Sequence, residues 1–135
     1  MTPNTTPQES SGGTRLRPCP RRPNCVSSRA EPGTRPYMEP IPWRGTLAEA
    51  REQLQAVLLA RPRTRIVAEE PLYLHAECRS RLFRFVDDVE FEFDEAARQI
   101  HFRSAARLGR RDFDVNRVRI DEIRRAFLEA EGHTS

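Results

Sequence analysis

From Leu72 to Arg103 apolar and polar side chains alternate with period two, which commits the middle of the chain to β-strands with one apolar face. Leu72, Leu74, Ala76 and Cys78 fall on one side, and Tyr73, His75, Glu77 and Arg79 on the other. Phe83, Phe85, Val89, Phe91 and Phe93 share one parity, and Ile100 and Phe102 continue the pattern beyond a turn near Glu95-Ala96-Ala97. Pairing Phe91 with Phe102 and Phe93 with Ile100 puts Glu90 opposite Arg103 and Glu92 opposite His101, so both faces of that hairpin are consistent. For the hairpin before it, a two-residue turn at Ser80-Arg81 pairs Cys78 with Phe83 and Ala76 with Phe85, and sets Glu77 against Arg84. A short strand, Arg65-Ile66-Val67-Ala68, comes first and is broken by the turn-prone Glu69-Glu70-Pro71.

Helical periodicity flanks these strands. Thr46-Leu47-Ala48-Glu49 is a capping box, Leu47, Ala50, Leu54, Val57 and Leu58 follow at helical spacing, and Pro62 ends the run. A second amphipathic helix begins near Asn116, with Val118, Ile120, Ile123, Phe127 and Leu128 as its apolar positions. Two helices with one apolar stripe each, and a sheet with one apolar face, predict an α+β two-layer sandwich. Its sheet is a four-stranded antiparallel meander with one helix before and one after it, and its second face is polar.

Hydrophobic residues are 37% of the 135, against roughly 45–50% in globular chains, so part of the chain is expected to stay unpacked. Residues 1–17 hold scarcely an apolar side chain and read as a disordered tail. Residues 18–44 carry seven of the 11 prolines together with Val26, Tyr37, Met38, Ile41 and Trp43, the pattern of an extended arm pegged onto a core at 45–131; 18–135 is read as one domain. No apolar run reaches membrane-span length and the N-terminus lacks a signal-peptide layout, so a cytoplasmic location is expected.

Several motifs in order are similar to a known family: Pro18-Cys19-Pro20, Pro23-Asn24-Cys25-Val26-Ser27-Ser28, Phe85-Val86-Asp87-Asp88-Val89-Glu90-Phe91, Arg103-Ser104-Ala105-Ala106-Arg107-Leu108-Gly109 and Asn116-Arg117-Val118-Arg119-Ile120. Over about residues 16–130 they resemble the bacterial and plastid family called domain of unknown function 1499. The resemblance implies a small single domain and no particular reaction. Some members carry an export signal or membrane anchor. The chain departs from the family pattern at Ala106, Arg110-Arg111 and Asp114; the last stands where the family has a Gly, a position that would demand positive φ.

Four constellations could carry chemistry. In Asp87-Asp88-Glu90, alternation sends Asp87 to the apolar face and the other two to the polar one, so the three cannot share a metal; no metal or cofactor is expected. Asp87 there needs a cation, with Arg79, Arg107 or Arg119 as candidates. On the polar face His75, Asp88, Glu90, His101 and Arg103 join Tyr73, and Arg107 and Asn116 extend the set toward the second helix as ligand-binding candidates. Cys19 and Cys25 lack further ligands for zinc and are read as reduced thiols, a disulfide being geometrically possible in exported relatives; Cys78 is a small core residue.

All 23 basic residues are arginine. Residues 105–135 interleave seven arginines with six acids, too even a mixture for a nucleic-acid surface, whereas residues 1–44 carry seven against three. The expected function is a non-catalytic module binding an anionic small ligand or a protein partner through Arg103 and Arg107. One alternative is an enzyme using His75 or His101 with Asp88 or Glu90; the other is a structural domain acting through its basic arm.

Overall fold

The computed structural model describes residues 14–20, 24–81, 85–107 and 114–134. Their elements run β1 (Cys25–Ser27), β2 (Ile41–Pro42), α1 (Leu47–Leu59), β3 (Thr64–Glu70), β4 (Tyr73–Arg79), β5 (Val86–Asp94), β6 (Gln99–Ala106) and α2 (Val115–Thr134). The fold is α+β with an antiparallel sheet of six strands in the order β1-β6-β5-β4-β3, and β2 also pairs with β6. The sheet thus has six strands where four were expected; β3 to β6 lie side by side, each antiparallel to the next. Two short strands from the arm extend it, with Cys25, Val26 and Ser27 opposite Ala105, Ser104 and Arg103, and Ile41 opposite Ile100. The arm therefore covers what would otherwise be the open edge of β6.

The β5–β6 hairpin has the register read from alternation: Phe91 faces Phe102, Phe93 faces Ile100, Glu90 faces Arg103 and Glu92 faces His101. The β4–β5 hairpin does not. Cys78 pairs with Asp87, Ala76 with Val89 and Glu77 with Asp88, so the connection is longer than the two-residue turn at Ser80-Arg81. Phe85 lies outside the strand, and Phe83 and Arg84 fall outside the described residues. The expected and observed pairings of Cys78 differ by four positions, an even slip that leaves every side chain on its face. β3 is also longer than expected. It includes Glu69 and Glu70, bulges between Ile66 and Ala68, and turns only at Pro71-Leu72, where Leu72 is 44% exposed instead of joining the core.

α1 starts with the expected box: Glu49 N donates to Thr46 Oγ1 at 3.1 Å, and Thr46 N donates to Glu49 Oε1 at 2.9 Å. Ala50, Leu54 and Leu58 from this helix, and Ile120, Ile123 and Phe127 from α2, join Leu74, Ala76, Val89, Phe91 and Phe102 in one core cluster. Val118 and Leu128, assigned to the apolar stripe of α2, are exposed. Trp43 of the arm closes one end, edge-on to Phe93 at a centroid distance of 5.8 Å. Asp114 precedes α2 at φ 67°, the left-handed conformation expected where the family pattern has Gly. No helix among the described residues is long and apolar enough to cross a membrane.

Candidate functional site

The sheet face away from the helices holds the polar candidates in three adjacent strands. His75 of β4 pairs across to Glu90 of β5, which pairs to Arg103 of β6. His75 Nε2 lies 2.8 Å from Asp88 Oδ1. Arg107 grips the same carboxylate with both oxygens, Nε to Oδ2 at 3.0 Å and Nη2 to Oδ1 at 2.7 Å, and reaches Glu77 Oε2 at 2.7 Å. Burial pushes the Asp88 carboxyl up, but the bonds from Arg107 and His75 outweigh it and hold the group below its ordinary range. Arg107's bond likewise lowers Glu77, and Arg107 is held in its cationic form by Asp88 and Glu77. Farther along the face the Tyr73 hydroxyl donates to Glu90, and burial together with that carboxylate pushes the phenol up.

His101 lies outside this network. Ser28 Oγ accepts from Phe102 N at 2.9 Å and stands 2.9 Å from His101 Nδ1, a contact in which either group can donate. Burial, reinforced by the charge of Arg29, pushes His101 below the usual histidine range. The expected pairing of His101 with Asp88 or Glu90 as its orienter is not the arrangement here; of the two histidines, His75 is the one with a carboxylate in hydrogen-bond reach among the described residues.

Two further candidates belong to the opposite face. Asp87 is buried with Arg119, Nη2 to Oδ2 at 2.9 Å, so Arg119 is the cation the sequence required; Arg79 reaches Glu77 at 3.5 Å instead. Asn116 accepts from Ser104 Oγ at 2.6 Å and donates to the carbonyl of Asn24 at 3.0 Å. It is fully buried and pins α2 to β6 and β1, a structural position and not a ligand-facing one.

A strap over the polar face was not legible as such. Cys19 and Cys25 form a disulfide, which corrects their reading as reduced thiols. Cys25 lies opposite Ala105, and so on the polar face beside Arg103. At the far end Thr14 Oγ1 donates to Glu92 Oε1 at 2.7 Å, Arg15 N donates to Glu92 Oε2 at 2.8 Å, and the Arg15 guanidinium pairs with Glu70 and sits 3.9 Å above the Tyr73 ring. Residues 14–17, the end of the stretch read as tail, thus cross the sheet with Leu16 3% exposed. The available signal was Leu16, the only large apolar side chain between Met1 and Cys19.

Magnitudes show what holds the strap. Ordering each residue costs roughly 1–2 kcal/mol. Burying Leu16 contributes about 2 kcal/mol, and exposed ion pairs about 0–1 kcal/mol each. The strap is held at one end by Thr14, Arg15 and Leu16 and at the other by the covalent tie at Cys19.

Beneath the strap is Arg103. It is 9% exposed on a face with no helix above it, its Nε has no hydrogen-bond partner among the described residues, and its nearest carboxylate, Glu90, stands 3.9 Å away. Burial makes its charge costly; Glu90 offsets that in part, and Arg17 adds like-charge repulsion. The Nε atoms of Arg51 and Arg61 also lack partners, but those residues are only half-buried. Beside the strap runs a cleft of about 660 Å³ whose lining includes Arg15, Arg17, Cys19, Ser27 and Arg29.

These features define a small α+β protein with one sheet face closed by helices and the other crossed by a disulfide-tied strap over charged side chains. The chain belongs to the family described as protein of unknown function (DUF1499), whose model matches residues 15–127. No curated protein and no solved structure matches it.

Proposed function

We propose that this protein is a non-catalytic binding module that takes a small anionic ligand on Arg103. The observation that carries this reading is the under-coordinated guanidinium: a buried cation with an unpartnered Nε among the described residues and a carboxylate only at 3.9 Å. A carboxylate or phosphate on Arg103 would supply the missing acceptor. A thermal-shift screen of phosphate, citrate, nucleotides and phospholipid head groups tests the reading. Binding raises the melting temperature in a concentration-dependent way, whereas a flat response to every anion rejects it.

A second reading, an acid/base enzyme, rests on the 2.8 Å contact between His75 and Asp88. Against it, Arg107 already occupies both oxygens of that carboxylate, as in a structural ion-pair network. The enzyme reading requires an activity that His75→Gln removes without loss of fold; a screen of hydrolytic substrates in which wild type and His75→Gln do not differ rejects it.

A further inference from the structure

We infer that the Cys19–Cys25 disulfide is a redox latch on the Arg103 site: oxidised, it holds the strap down over the guanidinium, and reduced, it lets the strap lift and the site open. The inference rests on the reading of Arg103 as an anion receptor and adds its control.

Three observations carry it. First, the bond joins an exposed segment, held at its far end by Thr14, Arg15 and Leu16, to a strand held in the sheet. Cys25 is 2% exposed and its strand pairs with β6, whereas Cys19 lies in the strap, whose single buried apolar side chain is Leu16. Cutting the bond releases the Cys19 end of the strap and leaves the sheet intact. Second, the strap passes beside that guanidinium: Ser27 pairs across to Arg103, and Leu16, Arg17, Pro18 and Cys19 line one cleft with Ser27. Third, Cys78, the remaining cysteine, is buried on the helix-covered face, so it cannot exchange with this bond and the electrons must come from outside.

The reductant is a dithiol. One of its thiolates attacks the more accessible Cys19 sulfur, breaking the Cys19–Cys25 bond and releasing Cys25 as a thiolate that takes a proton. Its second thiol then attacks its own sulfur in the mixed disulfide, and Cys19 leaves as a thiolate that is protonated in turn. The protein gains two electrons and two protons, and the dithiol becomes a disulfide. In a reducing compartment the site would stand open; in an oxidising one it would be covered.

The full chain, oxidised or reduced with dithiothreitol, is treated with phenylglyoxal, and arginine adducts are located by peptide mass spectrometry. On reduction Arg103 should be modified at least about tenfold faster, as local opening requires, while Arg65, 70% exposed at its side chain, changes little. Cys19→Ser should match the reduced chain without any reductant. Backbone hydrogen exchange of Val89–Phe93 in the same samples should stay slow. Arg103 protected alike in oxidised, reduced and Cys19→Ser protein overturns the latch; so does exposure of Arg103 only together with fast exchange at Phe91, which would make the bond a simple staple of the fold. Adding inorganic phosphate separates the two ideas. If it slows Arg103 modification in the reduced chain, the anion reading also stands; if opening occurs and phosphate gives no protection, the latch is supported and the anion reading falls.

Discussion

Arg119 of α2 reaches Asp87 of β5 with Nη2 2.9 Å from Oδ2, a charge pair sealed between helix and sheet on the face where every other strand neighbour is apolar or small. Asp87 is 1% exposed. Removing the cation alone takes the Arg119 contact from a buried carboxylate. Arg119→Leu should cost about 3–5 kcal/mol in urea unfolding. The double variant with Asp87→Leu should recover much of that, because two apolar groups leave no buried charge behind. A double variant as unstable as Arg119→Leu would show that the pair's worth is not in its charge.

The slip in the β4–β5 hairpin shows why part of the fold was legible and part was not. Alternation reports which face a residue occupies, and Phe85 and Val89 give the same answer. An even shift therefore preserves every apolar and polar assignment while changing every partner. In the β5–β6 hairpin the short turn before Gln99 left no comparable freedom, and the partners followed. β1 and β2 were hidden for a different reason: at three and two residues they are too short to show a period, proline interrupts the arm around them, and they pair because β6 presents an edge to them. On the site, the sequence placed His75, Asp88, Glu90 and Arg103 on one face. It did not show the strap, whose position depends on the disulfide and one leucine.

The helix cap offers a local test. Thr46→Ala removes the acceptor for Glu49 N and should lower stability by about 1 kcal/mol, read as a shift of the urea midpoint with an unchanged slope.

Acid should weaken the fold in two stages. His101 is held below its ordinary value by burial, so the unfolded chain binds its proton first. The stability this supplies is complete above the unfolded histidine value, about 6.5, and is lost as pH falls from there through the folded value. Asp88 and Glu77 are also depressed, and their contribution, present above about 4–4.5, is lost as pH falls through their lower folded values. Urea midpoints between pH 8 and 3 should show both limbs. His101→Gln should remove the first and keep the second; an unchanged upper limb in that variant would contradict the assignment.

Arg107 is half exposed, so Arg107→Gln should cost less than about 1 kcal/mol even though it breaks the bonds to Asp88 and Glu77. Its effect belongs to titration. Carbon-detected NMR should show the Asp88 carboxyl moving up toward the ordinary aspartate range in the variant, since burial then acts with less opposition.

The central claim, that Arg103 receives an anion, is tested most directly by calorimetric titration of inorganic phosphate into the reduced chain, wild type beside Arg103→Met. A saturable binding isotherm in wild type, weakened at least about tenfold in a folded Arg103→Met, a loss of about 1.4 kcal/mol, is the predicted result. Equal isotherms in the two proteins, or no saturable heat in the wild type, would contradict the account.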